Sequence, residues 1–221
     1  MNRNRSVILI GALSFFVTAL LLHCVKNDET SETVGTLETT VLTARYETDA
    51  VSADKDEDAA DDPAIWINFE DPAKSLVVGT NKKAGLNLYN LKGEEVFFIG
   101  EGLVNNVDVR YDFDLNGRMV DITGASNRSN NTIVLHIIDG THQELIPAHA
   151  REIVSGVDEV YGFCLYRSRE SGQVYAFVNG KDGQIEQWEL YPDMNDKIDA
   201  ELVRTLTVES QPEGMVADDE T

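Results

Sequence analysis

From Pro63 onward, apolar residues fall in short or alternating runs punctuated by Gly, Asn and Asp, and no long stretch keeps the 3.6-residue period of a helix. The pattern predicts an all-β structure. Three stretches, SLVVGTNKKAGLNLYNLKG, MVDITGASNRSNNTIVLHIIDG and QVYAFVNGKDGQIEQWELY, share one plan of two strands joined by a polar turn. Leu86, Ile133 and Ile185 recur at spacings of 47 and 52 residues, and Tyr89, His136 and Trp188 keep the same offsets. A repeat of about 50 residues fits a four-stranded propeller blade. An apolar strand precedes each pair (AIWIN, VDVRY, VYGFCLY), and EGMVAD begins a fourth copy. Counted from Asp62, the loops that launch these strands are marked by Asn106, Glu159 and Glu213, at spacings of 44, 53 and 54.

Antiparallel connectivity turns this repeat into a site. In a blade of strands one to four, the two-to-three turn and the loop entering the next blade emerge on the same rim. The turns carry Lys82 and Lys83, Arg128, and Lys181. The entering loops carry Asp61 and Asp62, then Asn105, Asn106 and Asp108, then Asp158 and Glu159, and finally Glu213. Carboxylates converging from several blades repel one another unless cations hold them, and oxygen donors without His or Cys suit Ca2+ better than zinc or copper. Lysine and arginine beside such a cluster are poor metal ligands but good donors to phosphate oxygens. A phosphate-rich anion is the expected ligand. Solvated loop charge is the alternative for any single loop, and repetition at equivalent turns weighs against it.

Composition narrows the partners. Of 221 residues, 42% are hydrophobic, enough for one domain with a core or two small ones. Eighteen basic residues against 39 acidic leave a net charge of −21, which excludes binding to a nucleic-acid backbone and implies a basic partner or bound cations. Cys24 and Cys164 do not make a disulfide framework, and Cys164 sits in an apolar run expected to bury its thiol.

The N-terminus has a different character. Arg3 and Arg5 precede 16 largely apolar residues from Val7 to Leu22, the pattern of an export signal and short for a membrane span. Residues 1–24 are therefore assigned to export, toward the periplasm, the outer membrane or the medium. Cys24 follows an LLH run that resembles a bacterial lipobox, although His23 stands where a small residue belongs. Acylation of Cys24 would attach the chain to a membrane; ordinary cleavage and an uncleaved anchor are the alternatives. Val25 to Asp62 holds 12 acids and three bases, and residues 25–48 read as an acidic flexible spacer, with one short strand considered over Val41 to Tyr46.

DDPAIW at 61–66, TNKKAG at 80–85, NNVDVRYDF at 105–113, ASNRS at 125–129, EVYGF at 159–163, GKDG at 180–183 and EGMVADDE at 213–220 resemble the β-propeller phytases, calcium-dependent phosphatases of alkaline type. The match runs from Asp49 to the C-terminus. The resemblance implies a six-bladed propeller, Ca2+ ions in and above its channel, and stepwise hydrolysis of myo-inositol hexakisphosphate. It implies that Asp61 and Glu213 serve calcium and the attacking water, and that Asp62 and Asn105 are further calcium ligands. It implies phosphate binding by Lys82, Arg128, Tyr161 and Lys181, with Lys83 beside an adjacent substrate phosphate. Asp182 stands where the family has glutamate, one methylene shorter, which weakens its expected calcium contact. Direct attack by metal-activated water needs no covalent intermediate, and His23, His136, His142 and His149 lie outside the matched rim.

Residues 49–221 hold about three blades and the first strand of a fourth, half of the expected ring, so unpaired blade edges and association are expected. Two other functions fit the same architecture: a calcium-dependent hydrolase of another ester, and a non-catalytic envelope module that binds phosphorylated ligands or proteins. Asp112, Asp114, Asn116 and Gly117 match the start of an EF-hand loop, but Thr123 replaces its last ligand, and the stretch reads as a hairpin turn on the opposite rim. Trp66 and Trp188 read as blade core, Asn127 as a turn residue beside Arg128, and Asp218, Asp219 and Glu220 as solvent-exposed.

Overall fold

In the computed structural model, residues 41–51 and 58–220 are described. The export segment, Cys24 and the spacer up to residue 40 lie outside them. Chain contacts separate Met1–Thr43 from a compact unit Ala44–Thr221, and the following concerns that unit. Among the described residues, no helix is long and apolar enough to cross a membrane.

The repeat becomes three antiparallel sheets, a β-propeller arrangement. The first joins β1 (Ala60–Trp66), β2 (Leu76–Asn81), β3 (Gly85–Asn90) and β4 (Glu95–Gly100) in sequence order. The second joins β5 (Val104–Leu115), β6 (Arg118–Asn127), β7 (Thr132–Asp139) and β8 (Glu144–Pro147), with the two-residue β9 (Ile153–Val154) added beside β7. The third joins β10 (Val160–Arg167), β11 (Val174–Gly180), β12 (Gln184–Pro192) and β13 (Ile198–Thr207). The first strands lie side by side, β1 beside β5 and β5 beside β10.

Two cores lie between consecutive sheets. One gathers Trp66, Leu76, Val78, Leu86 and Leu88 of the first sheet against Val107, Val109, Val134 and Ile138 of the second. The other packs Phe113, Ile122, Ile133 and Leu135 against Phe163, Leu165, Val178 and Trp188 of the third. The middle sheet is covered on both faces. This is why β7 reads TIVLHII without alternation: its residues are buried whichever way they point.

The repeat offsets acquire a direction. Leu86 and Ile133 point toward the following sheet, whereas His136 and Trp188 point back toward the preceding one. Wholly buried His136 places Nε2 2.7 Å from Glu101, at the junction of the first two sheets. Trp66 and Trp188 are core, and their indole N–H groups donate to Asp121 and Glu186. Cys164 is buried, and desolvation pushes its thiol up to about 12.

Asn116 and Gly117 have φ of 55° and 89°, the left-handed pair that a tight β5–β6 hairpin requires, and Asp114 accepts from the Gly117 N–H. The EF-hand-like stretch is thus a turn. Asn127 ends β6 and is 4% exposed, with its side-chain amide donating to the Glu101 carbonyl.

Three details differ from the sequence expectations. Val41 to Tyr46 forms no strand, and the segment is exposed along its length, with Val41 and Leu42 left in solvent. The EGMVAD stretch pairs with no strand among the described residues. Finally, Asp219 is not left to solvent. It forms an ion pair with Arg110, Nε to Oδ2 at 3.0 Å, and accepts from the Arg167 N–H at 3.1 Å, because Arg110 emerges from β5 with a second carboxylate, Asp108, holding its other side.

Candidate active site at the channel rim

The site grows from one irregularity used three times. The register of the first strand slips between Ala60 and Pro63 in β1, between Val104 and Val107 in β5, and between Val160 and Phe163 in β10. Each slip places two residues opposite one, the geometry of a β-bulge, which turns side chains out of the regular alternation. The bulged pairs are Asp61-Asp62, Asn105-Asn106 and Tyr161-Gly162. All of these but Gly162, with Glu213 and Gly214, line one concavity at the rim.

The cations are equally regular. Lys82, Arg128 and Lys181 each follow the last residue of a second strand, Asn81, Asn127 and Gly180. Each donates its backbone N–H to the segment entering its own sheet: Lys82 to Ala59 O at 2.7 Å, Arg128 to Leu103 O and Lys181 to Asp158 O, both at 3.0 Å. The equivalent of Asn106 in the third sheet is therefore Gly162 and not Glu159. Glu159 sits just before β10 with φ of 51°, three residues ahead of Gly162.

Resting contacts show how the charges are balanced. Lys82 Nζ lies 2.6 Å from Asp58 and 3.3 Å from Asp61. The Asp58 hydrogen bond holds Lys82 above the ordinary lysine value, and the same contact lowers the Asp58 carboxyl. Lys181 Nζ contacts Glu159 at 2.6 Å and stands 5.2 Å from the Tyr161 ring centroid, in cation–π range. Among the described residues, the Arg128 side chain bonds backbone oxygens alone, Nη2 to Lys82 O and Nε to Leu103 O, both at 3.4 Å. Asp62 Oδ2 accepts from the Val107 N–H at 2.9 Å, which ties the first bulge to the second sheet.

The structure thus brings Asp61, Asp62, Asn105, Tyr161 and Glu213 together, with Lys82 attached through Asp61 and Lys181 over Tyr161. Exposed Lys83 follows Lys82 in the same turn. Asp182 is not among the lining residues: its carboxylate accepts from the Gln184 backbone at 3.1 Å and side chain at 2.7 Å, closing its own turn. The donor set of Asp61, Asp62, Asn105 and Glu213 is all oxygen, drawn from three separate segments, and fits a hard divalent cation. A different group, Asp139, His142 and Glu144, clusters around the β7–β8 turn on the opposite rim.

Sequence reasoning missed Asp58 and a third repeated position. Thr80, Ser126 and Asn179 each stand two residues before a rim cation and are essentially buried. A buried polar residue recurring at a fixed offset from Lys82, Arg128 and Lys181 was the signal available.

Among known protein families, one described as Phytase matches residues 9–221. The chain is 46% identical over 183 residues to a 3-phytase of Bacillus subtilis (strain 168), covering 81% of this chain and 47% of that protein. It spans about half the length of this curated relative.

Proposed function

Since the chain belongs to the phytase family, we propose that it serves a calcium-dependent phosphomonoesterase that converts phytate to lower inositol phosphates and phosphate. The observation that carries this reading is the threefold equivalence of Lys82, Arg128 and Lys181, set in register beside the bulges bearing Asp61, Asn105 and Tyr161. An anion with phosphates around a ring needs cations repeated around an opening. Scattered surface charge would not keep that register.

Asp61, Asp62, Asn105 and Glu213 would hold calcium, which when bound supplies charge compensation for phosphoryl oxygens and a more acidic water. Lys82, Arg128 and Lys181 bind the oxygens of the phosphoryl group being transferred, Arg128 through its planar fork and the lysines as point charges. Tyr161 donates its phenol O–H to the same group, and Lys83 faces a neighbouring phosphate. Asp61 and Glu213 orient the attacking water, and a carboxylate oxygen takes up its proton. Substrate entry is then an exchange of partners: phosphate oxygens replace Asp58 at Lys82 and Glu159 at Lys181.

Phosphate release from phytate, measured with excess calcium and again with excess chelator, tests the proposal. Release is expected with calcium and loss on chelation; release that persists in chelator would overturn the metal dependence. Arg128→Ala should lower kcat/KM for phytate by about 100-fold, on the scale of losing one charge-stabilising donor. Unchanged kinetics would remove Arg128 from the phosphate site.

A further inference from the structure

We infer that Ser126 and Asn179 are positioning residues that pass the geometry of one sheet to the site residue of the next; the inference rests on the reading of Tyr161 and Glu213 given above. In all three sheets, the second bulge residue donates its backbone N–H to the side chain two residues before the rim cation. Asp62 N donates to Thr80 Oγ1 at 2.9 Å, Asn106 N to Ser126 Oγ at 3.3 Å, and Gly162 N to Asn179 Oδ1 at 2.9 Å. These acceptors satisfy the amide that a bulge leaves out of the ladder.

The outgoing bond is what differs. The Thr80 hydroxyl returns to its own bulge, at Asp62 O. The Ser126 hydroxyl instead crosses to the third sheet and donates to Tyr161 O at 2.6 Å. Asn179 Nδ2 crosses to the following segment and donates to Glu213 O at 2.9 Å. Ser126 and Asn179 have no exposed surface, so neither touches substrate. An N–H facing Oδ1 and a carbonyl facing Nδ2 also fix which way the Asn179 amide points.

Close packing reinforces the second crossing. A Cβ on Gly162 would stand 2.1 Å from Glu213 O and 2.4 Å from Asn179 Nδ2, so the glycine lets the Glu213 backbone and the Asn179 side chain close on β10. The segment beyond Glu213 is held again at Ala217 and Asp219, through Arg110. Glu213 is exposed and its segment pairs with no strand among the described residues. The backbone that carries Glu213 is therefore set by these tethers and not by a sheet ladder, and Gln211 Nε2 donates to its carboxylate at 3.2 Å.

Asn179→Asp keeps the acceptor for Gly162 but sets a second oxygen against Glu213 O. In the full chain it should raise the Kd for calcium by about tenfold, the usual scale for a ligand-orienting bond. Backbone amide exchange over residues 213–217, followed by mass spectrometry, should quicken. Ser126→Ala should raise KM for phytate by about tenfold through Tyr161, with a smaller change in kcat. Val174→Ala, a core truncation in β11, serves as a variant of lowered stability and should change neither calcium Kd nor exchange over 213–217. Exchange and calcium Kd of Asn179→Asp that match Val174→Ala would overturn the inference. Glu213→Gln separates the premise: if it binds calcium as the wild type does, the metal role of Glu213 falls and the inference falls with it. If Glu213→Gln weakens binding while Asn179→Asp does not, only the inference fails.

Discussion

Asp58 is the residue whose role the amino-acid pattern hid most completely, because it lies in a run of acids, EDAADD, where no single carboxylate stands out. Folded, its exposed side chain holds Lys82, which under the proposed function would release it to accept phosphate. Asp58→Asn removes that competitor, and KM for phytate should fall by about two- to threefold, in line with the small energies of exposed ion pairs. A raised or unchanged KM in steady-state assays would show that Asp58 does not compete. Lys82, Arg128 and Lys181 were legible because positive charge is scarce in this chain and recurs at equivalent turns. Asp182 was legible as a family position, but its side chain is spent on Gln184 within the turn, a local preference of Asp that spacing does not reveal.

Strand pairs are the scale at which sequence periodicity worked best. Two strands and a polar turn in each copy became β2–β3, β6–β7 and β11–β12, and the preceding apolar runs became β1, β5 and β10. The bulges were not legible, since one extra residue in a first strand leaves no mark on an apolar/polar pattern already broken by Asp and Asn. For the same reason the count through Glu159 slipped by three residues. Contacts between sheets were likewise hidden. His136 reads as a polar interruption in β7, yet it reaches back to Glu101 and holds that carboxyl below its ordinary value of 4.5. A depressed carboxyl stabilises the fold above its unfolded pKa, and the contribution is lost as pH falls through the lower folded value. Glu101→Gln should therefore flatten the loss of stability on acidification below about pH 4.5, measured by denaturant unfolding at stepped pH. A slope equal to the wild type would place the acid sensitivity elsewhere.

At the scale of the whole molecule, the described residues cover each of the two outer sheets on one face only. Ile65 is 62% exposed and Phe98 43% exposed on the far side of the first sheet, and Leu206 is 43% exposed on the far side of the third. Apolar surface of this kind drives association. Sedimentation velocity should show concentration-dependent species larger than the monomer, and replacing Ile65 and Phe98 with Lys and Glu should shift the distribution toward monomer; a monomer at every concentration would contradict this. Stacking of like units was foreseeable from the repeat, whereas the identity of the buried partners was not, because burial on both faces erases the alternation that marks a side. The threefold bulge carries one more consequence. Its backbone is satisfied by Thr80, Ser126 or Asn179 whichever side chain it presents, be it Asp61, Asn105 or Tyr161. Such a socket carries each head on backbone alone, yet the heads are not independent: Asn105 Nδ2 reaches Tyr161 O at 3.4 Å, so exchanging one of them would be felt by its neighbour.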